Sequence, residues 1–89
     1  MMDNNNKLSR VEILAKLKEI MLIMDPMKAD LIEKVTEDTL LIDDLGLSSV
    51  AMLYMVVAIE ETFHIEFGNL GVEDFKSVKE TIDYIVEKL

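Results

Sequence analysis

An all-α fold, a small four-helix bundle of three main helices and one short helix, is what this 89-residue sequence predicts. Two runs, Ser9-Arg10-Val11-Glu12 and Ser77-Val78-Lys79-Glu80, have the spacing of capping boxes and mark two helix starts. Apolar residues recur at helical spacing after each, and a third, almost wholly apolar run lies between them. A chain of this length buries about 60–65% of its unfolded surface, so it can have only one modest core. Residues 9–89 are expected to form a single domain behind a flexible leader, 1–8.

The first helix should run from Ser9 to about Met24, with Ile13, Leu17, Ile20 and Met24 on its buried face and Lys16, Lys18 and Glu19 in water. Asp25-Pro26 ends it, because proline has no N–H to donate and restricts the residue before it. From Met27 to Ser48 no strong period is present, and the anchors Leu31, Ile32, Val35, Leu40, Leu41, Ile42, Leu45 and Leu47 alternate with acids. A loop that long is expected to pack across the bundle and to present Ser49. The second main helix spans about Ser49 to Phe63, capped by Ser48 and closing near His64, whose ring suits the negative end of the helix dipole. Gly68 to Phe75 has room for one short helical turn, and the last helix carries Val78, Ile82, Ile85 and Leu89 on one side.

A net charge of −9 argues against nucleic acid or an anionic membrane surface as partner and favours basic proteins. Nine carboxylates and no Lys or Arg lie between Val35 and Phe75. With no cysteine, the chain has neither disulfides nor a nucleophilic sulfur of its own. No apolar run approaches the ~20 residues of a membrane span and the start has no signal-peptide features, so a cytoplasmic location without membrane insertion is expected. Asp43-Asp44 and Glu73-Asp74 lack the spacing of a calcium loop and read as solvated acids, so no metal site is expected. Met21, Met24, Met27, Met52 and Met55 read mainly as core filling.

Val50 to Ile59 is ten apolar residues in succession, more than one helix of so small a protein can bury. At ~100° per residue, the inward side falls on Met52, Met55, Val56, Ile59 and Phe63. Val50, Leu53, Tyr54 and Val57 then project on the side of Glu60 and Glu61. That combination suggests a protein-docking face, with apolar anchors for contact and carboxylates for steering.

Asp44-Leu45-Gly46-Leu47-Ser48-Ser49-Val50 brings a serine to the start of that helix through a glycine turn. As a nucleophile Ser49 would need a base, yet the only histidine, His64, lies about 22 Å along the same helix. No catalytic residues are expected. A helix N-terminus instead favours an anion, so Ser49 is well placed to carry a phosphate ester, or to be simply a cap residue with Ser48.

Asp44-Leu45-Gly46-Leu47-Ser48-Ser49-Val50, followed by Glu60-Glu61-Thr62-Phe63 and Ile65, resembles the phosphopantetheine attachment region of the acyl carrier proteins, which reads roughly D-L-G-x-D-S-L with E-E-x-F closing the next helix. The match is gap-free over 44–65, and the order of elements extends the resemblance over about 9–89. It implies a four-helix bundle of acyl-carrier-protein type that is not an enzyme. Ser49 would receive 4′-phosphopantetheine from coenzyme A through a separate, Mg²⁺-using phosphopantetheinyl transferase. Acyl groups would then ride on the arm's thiol as thioesters between acyl-loading and acyl-processing enzymes, and the acyl chain can fold back between the helices. Met52, Met55, Val56, Ile59 and Phe63 are the pocket candidates. Asp44 and Ser48 join Val50, Leu53, Tyr54, Val57, Glu60 and Glu61 as docking candidates.

Four positions depart from the family pattern. Ser48 replaces the usual aspartate, Val50 the usual leucine, and Ala51 and Tyr54 stand where acids are common. The departures point to a specialised carrier with dedicated partner enzymes rather than the general fatty-acid carrier; a monomer serving a fatty-acid, lipid or polyketide-type pathway is expected. An aminoacyl or peptidyl carrier shares the fold and the serine. An unmodified acidic adaptor binding through the same helix is the alternative from another class.

Overall fold

A computed structural model describes residues 8–89. Four α-helices run in the order α1 (Arg10–Met24), α2 (Ala29–Glu33), α3 (Ser49–Phe63) and α4 (Val78–Lys88), with 3₁₀ turns at Pro26–Lys28 and Val72–Asp74. Seven residues of the expected leader lie outside the described residues. Its last residue, Leu8, packs against the core.

α1 begins with the expected reciprocal cap. The Glu12 amide donates to Ser9 Oγ at 3.1 Å, and the Ser9 amide donates to Glu12 Oε1 at 2.8 Å. Hydrogen bonds from the Ser9 backbone and hydroxyl hold the Glu12 carboxyl below the usual range. Ile13, Leu17, Ile20 and Met21 are buried, while Met24 is only half-buried. Asp25 stops the helix, and its Oδ1 accepts the Met27 amide at 3.2 Å to start the next turn at Pro26.

The stretch after Met27 corrects the sequence reading. It contains a five-residue helix, α2, where no regular element is expected, and the expected short turn at 68–75 is a 3₁₀ turn, Val72–Asp74. The short helix of the bundle is therefore α2. Helical geometry places Ile32 inward and lets Val35 follow it, both nearly inaccessible. Five residues are too few for a periodic signature, and Lys28 at the N-cap provides no side-chain cap, so α2 depends on packing. Three anticipated anchors, Leu31, Leu40 and Ile42, are exposed, because Ile32 and Leu41 beside them take the inward positions. Leu89 is also exposed, lying past the last turn of α4.

α1, α3 and α4 enclose one core in which Ile13, Met52, Met55, Ile59, Val78, Ile82 and Ile85 have no accessible surface. Burial of each such side chain contributes about 1.5–3 kcal/mol before ordering costs. Phe75 sits edge-on between Phe67 and Tyr84, with ring centroids 5.0 and 5.3 Å away, and seals the loop before α4 onto the bundle. The long loop is stitched to the start of α4 by backbone bonds: Leu41 N–H to the Lys76 carbonyl, Val78 N–H to that of Thr39, and Lys79 N–H to that of Glu37. Arg10 adds a clasp, its guanidinium 2.6 Å from Glu37 and 2.8 Å from Asp83. Hydrogen bonding to Arg10 holds the Glu37 carboxyl below the usual range, and Glu37 and Asp83 push the guanidinium pKa up.

Candidate functional site at the start of α3

Residues 40–47 form a tightly bonded coil that aims the chain into α3. The Asp44 and Leu45 amides both donate to the Leu40 carbonyl, that of Gly46 to Ile42 at 2.8 Å, and that of Leu47 to Leu41 at 3.2 Å. Asp44 Oδ2 closes the coil by accepting the Leu40 amide at 2.8 Å. Gly46 turns the chain at φ +69°, a left-handed conformation that a side chain would strain.

Ser48 then takes the extended conformation of an N-cap, and its Oγ accepts the Ala51 amide at 3.1 Å. Ser49 is the first helical residue and is exposed. The two serines divide the labour: Ser48 spends its oxygen on the helix, and Ser49 presents its hydroxyl to solvent. By helix geometry the Ser49 and Val50 amides have no carbonyl partner within α3, so two N–H donors and the positive dipole end face the same region. A phosphate ester on Ser49 fits those surroundings.

Lys28 brings positive charge to this otherwise acidic region. Its Nζ donates to the Leu45 carbonyl at 2.9 Å, across seventeen residues, with Asp25 Oδ2 4.0 Å away. Sequence reading misses this contact, since a side-chain bond to a distant carbonyl leaves no periodic trace. Lys28 also lines a cavity of about 220 Å³ whose apolar wall is Met21, Met24, Ile32, Leu45, Leu47 and Ala51, with Asp25, Gly46 and Ser48 at its polar edge. A more open groove beside Ser48 is lined by Ile23, Met24, Val50, Ala51 and Tyr54. Met27 neither fills the core nor lines either space, being 92% exposed.

The two sides of α3 differ sharply. Met52, Met55, Ile59 and Phe63 are buried in the core and Val56 is half-buried, and none of the five lines either space beside Ser48. Val50, Leu53, Tyr54 and Val57 are 53–76% exposed and share one side. Glu61 is exposed at its end. Glu60 is half-buried, and its Oε2 accepts the Phe67 amide at 2.9 Å, so this carboxylate anchors the following loop. Asp44 is similarly engaged within the coil.

His64 closes α3 in the left-handed conformation, φ 58°, with its amide bonded to the Glu60 carbonyl. The structure thus keeps the histidine and Ser49 at opposite ends of one fifteen-residue helix. Among the described residues no three His, Asp or Glu side chains converge as metal ligands.

Comparison with known proteins agrees with this geometry. The family described as "Phosphopantetheine attachment site" matches residues 25–85. A protein named acyl carrier protein from Caulobacter vibrioides (strain NA1000 / CB15N) is 36% identical over 77 residues, covering 86% of this chain and 95% of its own length. An acyl carrier protein from Clostridium perfringens (strain SM101 / Type A) is 35% identical over 72 residues, covering 81% of this chain and 91% of its own. On the family match and these relatives, the chain belongs to the acyl carrier proteins, carriers that are not themselves enzymes and whose cofactor is covalently attached 4′-phosphopantetheine.

Proposed function

We propose that Ser49 carries the phosphopantetheine, that residues 9–89 act as one monomeric carrier domain, and that the protein serves a specialised fatty-acid, lipid or polyketide-type pathway in the cytoplasm. The observation that carries the site is the pairing of Ser48 and Ser49: the cap is supplied by the first, leaving the second exposed beside unpartnered amides. When bound, the group supplies a thiol on a long arm, to which acyl cargo is joined as a thioester. The chain's own residues present and orient. The coil 40–47 fixes the serine, and the helix end favours the negative phosphate. His64 is too remote to act as base, which leaves activation of the hydroxyl to the phosphopantetheinyl transferase.

Val50, Leu53, Tyr54 and Val57 support docking of the transferase and the acyl-processing enzymes, with Glu61 as the steering carboxylate. This face is far more apolar than a charge-guided one, which favours a narrow set of dedicated partners. For cargo, the closed-packed inner face of α3 would have to be displaced, whereas the cavity bounded by Met21, Met24, Ile32 and Leu45 is already open. None of the chain's helices is long and apolar enough to cross a membrane, among the described residues.

Intact mass after incubation with coenzyme A, Mg²⁺ and a broad-specificity transferase tests the site. One phosphopantetheine increment in the parent and Ser48→Ala chains and none in Ser49→Ala is expected; an increment retained by Ser49→Ala would refute it. Elongation on the modified protein by the general fatty-acid enzymes, as fast as on their own carrier, would remove the case for a specialised pathway.

A further inference from the structure

We infer that Lys28 is a positioning residue for the modification of Ser49, acting through the Leu45 carbonyl; this rests on Ser49 as the attachment residue. The coil that leads to Ser49 is tied at its near end to the segment just before α4 by the Leu41–Lys76 backbone bond, and its remaining backbone links are internal to residues 40–47. Those internal bonds shape the coil without fixing its far end to the bundle. Leu45 buries its side chain there, and its carbonyl receives the Lys28 ammonium at 2.9 Å. A charged donor makes this a strong hydrogen bond. The Pro26–Lys28 turn that carries the lysine is itself braced by Asp25, which accepts the Met27 amide.

The bond falls one residue before the left-handed Gly46 and three before the cap Ser48. At such a pivot, a small change in the Leu45 peptide plane is carried directly into the direction in which the chain enters α3. A Cβ on Gly46 would lie 3.7 Å from the Lys28 Nζ, so lysine and turn are in packing contact as well. The ammonium also stands 4.0 Å from Asp25 Oδ2, the residue that opens its own turn. Ordering a loop and aiming a nucleophile are separate effects: the first changes local opening, the second changes the rate once substrate is bound.

Lys28→Met, close in length and without the donor, tests the inference, with Lys28→Arg as the variant that keeps a donor. In the unmodified chain, amide hydrogen exchange at Gly46 and Leu47 is expected to quicken by about tenfold or more in Lys28→Met while the α4 amides stay unchanged. With transferase and coenzyme A, kcat for modification is expected to fall about tenfold with KM for the carrier within about twofold, since the docking side of α3 is untouched. Lys28→Arg should restore both readouts. Unchanged exchange at Gly46 and Leu47 overturns the inference, and so does faster exchange with unchanged kcat, which would reduce Lys28 to a stabilising contact. Failure of the arginine rescue overturns it too. Exchange needs no modification, so the two failures are distinct: a Ser49→Ala chain that still gains mass refutes the attachment residue and the inference with it, whereas unchanged exchange in Lys28→Met overturns the inference alone.

Discussion

Helices α3 and α4 start alike and end up doing opposite things with their outer sides. Each opens on a serine whose hydroxyl accepts an amide three residues on, at 3.1 Å from Ser48 and 3.2 Å from Ser77. Each sends a fully buried stripe into the same core. Outward, α4 shows Lys79, Asp83 and Glu87, the side chains that solvent favours, whereas α3 shows Val50, Leu53, Tyr54 and Val57. Burying a core requires only the inner stripe. The apolar outer side of α3 lies outside that stripe, and under the proposed function it is the part of the helix that partners would use.

The comparison can be broken most decisively at its functional end. Ser49→Ala should abolish phosphopantetheine uptake altogether, read as intact mass, while Ser77→Ala keeps it. On the inner stripes the two helices should behave alike: Met52→Ala in α3 and Ile82→Ala in α4 should each cost about 2–5 kcal/mol in denaturant unfolding. Outer-side changes should then separate them. Leu53→Glu should weaken transferase docking by about ten- to a hundredfold, seen in KM, with stability within about 0.5 kcal/mol. Lys79→Glu should leave docking unchanged. At the helix ends, His64→Gly should raise stability by about 0.5–1 kcal/mol, since glycine takes the left-handed conformation without strain.

The smallest expected effect is on pH dependence. Arg10 lowers the folded-state pKa of Glu37, so the clasp stabilises the protein fully above the unfolded glutamate value of 4.5. That contribution is lost as pH falls through the depressed value. Acid unfolding followed by circular dichroism should therefore show a shallower pH dependence below 4.5 in Glu37→Gln than in the parent.

Much of this was legible from residue spacing because it is local. Ser9, Ser48 and Ser77 mark helix starts through bonds to residues three positions away, and a 100° rotation per residue separates Met52 and Met55 from Leu53 and Tyr54. The features that escaped the sequence are non-local. α2 exists because Ile32 and Val35 meet a core that other segments build. Leu40 and Ile42 look like anchors until Leu41 between them takes the inward place. Glu60 reads as a steering charge, but the backbone of Phe67 claims it. Lys28 carries no signal in the sequence, though its ammonium ends on a carbonyl seventeen residues away.

The stitch between the loop and α4 bears on when the protein becomes usable during its own synthesis. The Leu41, Val78 and Lys79 amides pair residues that are separated by more than thirty positions in the chain. A ribosome has already delivered Ser49, and the whole of α3, before the partners at 76–79 exist. The segment leading to the serine can take up its final position only after translation has passed Lys79 and α4 has docked. Synthesis of residues 76–88 thereby acts as a timing gate, so that a transferase requiring the assembled loop would meet Ser49 only after α4 has emerged and docked.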